Sequence, residues 1–314
     1  MDRLRCLIFL ASSIPSFRIT DDLVADFARR CPSCAFQRVR DRDELLSALP
    51  QADLFITWKM KAEWYEQAPR LRAVLTPAAG RERIAPHPRG LVRLVHGTFH
   101  GPIMAQTLLG MILHFNRCLH QAVHQQLDHR WEPSAFESAA LMGNQHIVIV
   151  GYGSIGRACG RLLKAAGCGR ITGVRRSLSR TDLDSDADQI LSVNNLPGVL
   201  PDADHVVAIL PGGPETHGIV TAEHFSMMKP SAYFYNVGRG NCCDEGVLVN
   251  ALKNNMIAGA GLDVFATEPL PTESPLWDLP NVLILPHASA MGPDYLRLYV
   301  AEAAAAINKI NVDC

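Results

Sequence analysis

His146-Ile147-Val148-Ile149-Val150-Gly151-Tyr152-Gly153-Ser154-Ile155-Gly156 decides the fold. Four β-branched residues run straight into three glycines spaced G-x-G-x-x-G, and Arg157–Ala166 follows with helical periodicity. The pattern reads as buried strand, tight turn and helix. Gly151 permits the turn, Gly153 lets a pyrophosphate approach the backbone, and Gly156 lets the helix pack closely on the strand. The helix N-terminus, with Ser154 and Ile155 in its first turn, then faces the anion. Glycine-rich turns alone are common; in this strand–turn–helix setting they predict a dinucleotide-binding unit.

The bulk composition bounds the rest. A chain of 314 residues, 48% hydrophobic and 19% charged, has room for two domains and an ample core. Basic and acidic residues balance at 30 and 31, so no charge excess marks a nucleic-acid or anionic-membrane partner. No apolar run approaches the ~18 residues of a membrane span. Met1–Ser13 carries two arginines and a short apolar run with no clear small-x-small cleavage site, and reads as a first buried strand rather than a signal peptide. The nine cysteines include Cys31-Pro32-Ser33-Cys34 and the neighbours Cys242-Cys243, but neither the second pair nor the histidines of a zinc site accompany them. Reduced thiols in a cytoplasmic protein, with no metal, are expected.

Strand and helix patterns alternate along the chain, which implies parallel α/β units. Strands are expected at 4–10, 35–40, 53–57, 72–76 and 91–96, with helices at 21–30, 43–49 and 63–67. A long helix from Gly101-Pro102 to Arg117 is apolar on most faces and should be buried, between domains or against a partner subunit. The histidines at 114, 120, 124 and 129 lack a carboxylate or cysteine at ligand spacing and read as a solvated face. From 147 onward strands are expected at 147–150, 170–174, 204–210, 231–237, 257–264 and 281–285. Helices are expected at 223–228, 244–254 and 293–309.

In an open parallel sheet, ligands gather beyond the carboxyl ends of the strands. Arg239, Glu268 and His287 each stand one to four residues past such an end, beside Gly or Pro. One such placement is ordinary; three in successive units suggest a convergent site. The residue types suit reduction of a 2-oxo acid. Arginine offers a fork of donors to a carboxylate and a carbonyl oxygen. Histidine donates a proton near neutral pH, and a carboxylate beside an imidazole fixes its tautomer and favours its protonated form.

The chain resembles the D-isomer-specific 2-hydroxyacid dehydrogenases over nearly its whole length, most densely from 143 to 291. The resemblance rests on Gly151-Tyr152-Gly153-Ser154-Ile155-Gly156, Leu210-Pro211 with Glu215-Thr216, Met228-Lys229-Pro230, Asn236-Val237-Gly238-Arg239-Gly240, Gly261-Leu262-Asp263-Val264-Phe265 with Glu268-Pro269, and Pro286-His287. It implies two Rossmann-like α/β domains, a doubly wound parallel-sheet cofactor domain (100–287) inserted into a flavodoxin-like substrate domain (1–99 and 288–314). It also implies Arg239 as the substrate-orienting arginine, Glu268 as the histidine's partner and His287 as the acid/base. Asp263 would lie by the nicotinamide carboxamide, while Pro211, Thr216 and Val237 would line the cofactor. Backbone N–H groups at Ala78-Ala79-Gly80 would hold the substrate carboxylate. Trp58 resembles an active-site tryptophan of the glyoxylate/hydroxypyruvate reductase branch, although core packing accounts for it equally. A homodimer through the cofactor domains is implied as well. The chain departs from the family at Gln106, where glutamate is usual, and at Arg81-Glu82, where an aspartate is usual.

The second strand of the cofactor domain ends in Val174-Arg175-Arg176-Ser177, and no acidic residue follows until Asp182. A carboxylate at this strand end accepts from the ribose hydroxyls of NAD; two guanidinium groups and a hydroxyl instead suit a 2′-phosphate. NADP is therefore the expected cofactor, with NAD the alternative. The expected activity is hydride transfer between NADP(H) and a small 2-oxo or 2-hydroxy acid, D-specific and glyoxylate- or hydroxypyruvate-like. A non-catalytic dinucleotide-sensing scaffold on the same fold is the rival reading. A formate dehydrogenase ranks below both, since in that branch the histidine's partner resembles a glutamine.

Overall fold

A computed structural model describes residues 3–178 and 186–312. The chain divides into two compact units: residues up to His100 together with the segment from Met291 onward, and Gly101–Ala290.

The first unit holds β1 (Leu4–Phe9), α1 (Asp21–Arg30), β2 (Cys34–Arg38), α2 (Arg42–Ala48), β3 (Leu54–Thr57), β4 (Ala73–Thr76) and β5 (Arg93–His96). Its sheet has the order β2-β1-β3-β4-β5 with every neighbouring pair parallel, the flavodoxin-like order. β3 and β4 are buried at every residue, as strands covered on both faces must be. Local chemistry starts the helices: the Thr20 hydroxyl accepts from Leu23 N, and the Asp41 carboxylate from Glu44 N. Asp21 and Asp22 open α1 and Arg29 and Arg30 close it, each favoured by the helix dipole.

The second unit begins with α3 (Gly101–Asn116) and α4 (Leu119–Leu127). It continues through β6 (His146–Val150), α5 (Ser154–Ala165), β7 (Arg170–Arg175), β8 (Gln189–Ser192), β9 (His205–Ala208) and α6 (Ala222–Met227). β10 (Tyr233–Asn236), α7 (Glu245–Lys253), β11 (Gly259–Leu262) and β12 (Val282–Ile284) complete it. The sheet order is β12-β11-β10-β9-β6-β7-β8, all neighbours parallel. This is the doubly wound arrangement, and the strand order reverses between β6 and β9. Along β6 the side chains alternate between two cores: Val148 and Val150 join Val206, Ala208 and Phe234, whereas Ile147 and Ile149 join Val207 and Tyr235. The chain then returns to the first unit through α8 (Tyr295–Val312), which packs on α1, and the Cys31 thiol donates to Ala304 O at 3.5 Å. Among the described residues no helix is long and apolar enough to cross a membrane.

Several expectations change. The helix expected at 63–67 is one 3-10 turn, Ala62–Trp64, because Trp64 and Tyr65 turn into the core and the Tyr65 hydroxyl donates to Ala85 O at 2.7 Å. β8 was not anticipated; among the described residues it is a four-residue edge strand paired with β7 alone. One face of the apolar α3 packs within its own unit, where Met104, Leu108, Met111 and Phe115 join the core with Ile147, Cys159 and Leu163 and α5 is the main helical neighbour, while Ile103, Leu109 and Leu113 stay partly accessible.

A polar network lies under the N-terminal ends of these strands. His205 Nδ1 meets the Tyr235 hydroxyl at 3.0 Å and Nε2 meets Gln145 Oε1 at 3.1 Å. Gln145 Oε1 can only accept, so Nε2 carries the proton and Nδ1 accepts from tyrosine, the pattern of a neutral imidazole. Burial pushes the His205 pKa down from 6.5 to about 4. As pH falls through 6.5 the unfolded chain binds a proton there that the folded chain refuses, so stability declines from about pH 6.5 toward 4. By pH 5 this group alone costs about 2 kcal/mol. Urea unfolding of wild type and His205→Gln at pH 7.5 and 5 should show the variant losing about that much less stability on acidification. Equal losses would exclude His205 as the source.

Candidate active site

The loops beyond the carboxyl ends of β6, β9, β10 and β11 touch backbone to backbone, and glycines make this possible. Gly151 has φ +97°, open to glycine at little cost, and a Cβ there would meet Ile209 O at 2.2 Å. A Cβ on Gly238 would lie 2.4 Å from Leu210 N, and one on Gly240 2.0 Å from Phe265 C. The result is a continuous ledge of loop backbone along one end of the sheet, at and beside the point where the strand order reverses.

The fingerprint turn matches a dinucleotide's demands. Gly153 and Ser154 are exposed at the start of α5, and nothing lies within 4 Å of a Cβ built on Gly153. The start of α5 is thus open to solvent at Gly153 and Ser154, with the positive end of the helix dipole behind it. Ile155 is half-buried, and a Cβ on Gly156 would press on Gly151 O at 2.6 Å. Tyr152, between the glycines, turns inward and is fully buried; its ring covers Gly173 of β7 and its hydroxyl end covers Gly160 of α5. Arg175 ends β7 half-buried, with Arg176 and Ser177 exposed beyond it. Arg176 forms an ion pair with Glu215 from the loop after β9. In that loop the Thr216 hydroxyl donates to Pro211 O at 2.7 Å, which closes the turn. Val237 is buried, its N–H donating to Ala208 O at 3.1 Å.

Glu268 and His287, 19 residues apart in sequence, come together: His287 Nδ1 lies 2.7 Å from Glu268 Oε2. The pair is half-exposed, with side chains 35% and 48% accessible, so it faces solvent rather than filling the core. The other oxygen, Glu268 Oε1, accepts from Phe265 N at 3.1 Å. Because Glu268 accepts at Nδ1, it fixes the tautomer and orients the ring, and Nε2 is left as the exchangeable position. His287 sits in the left-handed region at φ 52°. Asp263 supports that conformation: its carbonyl accepts from His287 N at 2.9 Å and its carboxylate from Ala288 N at 2.6 Å and Ser289 N at 3.0 Å. Asp263 itself is fully buried.

Arg239 follows β10, next to β11 in the sheet, and its Nη1 donates to Gly238 O at 2.8 Å. Asn236 clamps this loop, donating through Nδ2 to Arg239 O at 3.0 Å and accepting at Oδ1 from Gly238 N at 3.2 Å. Neither Asn236 nor the anchoring role of Asp263 was evident from the sequence. The one available signal was the position of each at the last paired residue of its strand or one beyond.

In the first unit, Trp58 stands one residue past β3. It is half-buried, its indole N–H donates to Phe17 O at 3.1 Å, and its ring packs on Phe17 and Tyr295 with centroids 5.5 and 6.1 Å away. Ala79 is exposed and Gly80 half-buried in the loop after β4, where Ala78 N donates to Thr76 Oγ1 at 3.3 Å. His96, at the end of β5, belongs to the same edge; burial and the Arg81 guanidinium lower its pKa, while the carbonyls of Gly80 and Ala78 oppose that shift. Gln106, Arg81 and Glu82, the departures from family pattern, are all exposed.

Fold and site together define a two-unit α/β protein with a dinucleotide turn and a histidine–carboxylate pair on one ledge of a doubly wound sheet. Residues 109–289 match the family model described as "D-isomer specific 2-hydroxyacid dehydrogenase, NAD binding domain". The chain is 30% identical to glyoxylate/hydroxypyruvate reductase B of Pectobacterium carotovorum, over 86% of this chain and 85% of that one. It is 31% identical to D-3-phosphoglycerate dehydrogenase of Mycobacterium tuberculosis over 80% of its own length, but spans only 47% of that protein. A solved D-isomer specific 2-hydroxyacid dehydrogenase from Xanthobacter autotrophicus Py2, in complex with NADPH and MES, superposes with a TM-score of 0.80 at 25% identity. That superposition covers 98% of this chain and 96% of the other. The chain belongs to the D-isomer specific 2-hydroxyacid dehydrogenase family.

Proposed function

We propose that the chain is an NADP(H)-dependent, D-specific reductase of a small 2-oxo acid of the glyoxylate or hydroxypyruvate kind. The observation that carries this reading is the 2.7 Å His287–Glu268 contact on the same ledge as the Arg239 loop and the fingerprint turn. A sensing scaffold needs the turn but has no use for an oriented, solvent-facing imidazole held by a carboxylate.

Gly151–Gly156 and the first turn of α5 would hold the pyrophosphate, with Pro211, Thr216 and Val237 along the remainder of the cofactor and the fully buried Asp263 holding the Ala288 and Ser289 amides. The nicotinamide, when bound, supplies or takes up the hydride at C2 of the acid. The chain's own groups do the rest. The Arg239 guanidinium binds the substrate and polarises the carbonyl oxygen, drawing charge onto it. His287 holds a proton on Nε2 for the alkoxide that forms, and Glu268 stabilises the ring while it carries that proton. The match to the Pectobacterium reductase, nearly full-length on both chains, supports the substrate class better than the half-length match to phosphoglycerate dehydrogenase.

Arg175, Arg176 and Ser177 would hold the 2′-phosphate, and a relative solved in complex with NADPH supports that choice of cofactor. Arg176 faces Glu215, with which a phosphate would have to compete. NADPH oxidation across a panel of 2-oxo acids, followed by absorbance, tests the reading. NADPH should give the higher kcat/KM with glyoxylate or hydroxypyruvate. Arg175→Ala should weaken use of NADPH about 10–100-fold, as loss of a charge-assisted contact implies, and leave NADH nearly unchanged. Tight cofactor binding with no turnover on any acid would favour the scaffold; equal or better use of NADH would remove the NADP assignment.

A further inference from the structure

One carboxylate outside this machinery reaches into it. Glu245, in the first turn of α7, accepts from Ala266 N at 2.6 Å across 21 residues of sequence. An acidic residue in a first turn ordinarily serves the helix dipole. Here the peptide it grips joins Phe265 to Ala266, and two functional loops meet there. Phe265 N anchors Glu268 Oε1, which leaves Oε2 for His287. The same peptide lies against Gly240, where a Cβ would meet Phe265 C at 2.0 Å and Ala266 N at 2.5 Å, immediately beside Arg239. Two consecutive amides are thus held by two carboxylates, one from the histidine's partner and one from α7.

We propose that Glu245 is a positioning residue for the reaction: it fixes the 265–266 peptide and through it sets both the Glu268–His287 pair and the loop carrying Arg239. The idea rests on the proposed reductase activity. It needs the acceptor oxygen at full glutamate reach and does not need the negative charge, which separates it from a dipole role. Glu245→Asp keeps the charge in the first turn but retracts the oxygen by one methylene; Glu245→Gln discards the charge and keeps an acceptor at the same reach.

Steady-state kinetics with NADPH and glyoxylate should show Glu245→Asp lowering kcat about 10–100-fold, the scale of an ångström-level misplacement. KM for the acid and NADPH affinity by fluorescence titration should stay within about threefold, and Glu245→Gln should keep kcat within about threefold of wild type. The reverse order, Asp active and Gln impaired, would leave Glu245 as a dipole residue only; wild-type kcat in both would leave it without a role. Hydrogen exchange at the Ala266 amide reads the clamp without turnover: it should quicken in Glu245→Asp and not in Glu245→Gln. Unchanged exchange in Glu245→Asp would overturn the clamp. An inactive wild type with those exchange changes intact would instead count against the reductase reading.

Discussion

His287→Ala is expected to lower kcat for 2-oxo acid reduction by about 10²–10⁴-fold, the usual yield of a positioned general acid. The geometry argues for a kcat effect rather than a binding effect. Glu268 occupies Nδ1 at 2.7 Å, and the loop beyond His287 is fixed by Asp263 through the amides of Ala288 and Ser289. The imidazole is thus delivered, and held, with one nitrogen to offer, and its removal takes away the proton while leaving the fingerprint turn untouched. NADPH affinity, read by fluorescence, should therefore change little while single-turnover rates collapse. Turnover at the wild-type rate in the alanine variant would refute the acid/base assignment.

Arg239→Lys should be nearly as damaging as Arg239→Ala, with kcat/KM for the acid reduced about 10²–10³-fold, the scale of losing one donor to a developing oxyanion. Arg239 leaves its strand in a loop clamped at both ends by Asn236, and its Nη1 is tethered to Gly238 O at 2.8 Å. A guanidinium can keep that tether and still present further N–H groups in the same plane; an ammonium on a flexible stem cannot do both. Kinetics on the two variants, with NADPH affinity as the control, decide the point. A lysine variant within about threefold of wild type would mean that charge alone suffices at this position.

The sequence made much of this legible, for a definable reason. β6, its glycines and α5 are consecutive, so strand, turn and helix could be read from one stretch. Arg239, Glu268 and His287 stood out because each follows a strand end beside Gly or Pro, a local signature of a sheet's ligand edge. β8 left no signature: it is four residues long, half-buried and, among the described residues, paired on one side only. α4 was obscured by its mixed polar face. Strand ends were overestimated wherever an apolar run continued past its ladder, as in 257–264, where pairing covers only Gly259–Leu262. The supporting roles of Asn236, Glu245 and Asp263 were beyond reach because each acts on a backbone amide. Which amide a carboxylate meets depends on the path of a loop, and loop paths have no period.

Tyr152 has a consequence beyond the fingerprint that contains it. Its ring is seated on two bare backbone positions, one on the strand beside it and one on the helix above, where a methyl group would come within 2.5 Å at Gly173 and 2.6 Å at Gly160. Positions 152, 160 and 173 therefore exchange volume as a set: added bulk at either glycine is tolerated only beside a smaller residue at 152. The spacer letters of the motif are not neutral in this chain. One of them gauges how far α5 can stand from β7, and hence how the amides at the start of that helix are aimed.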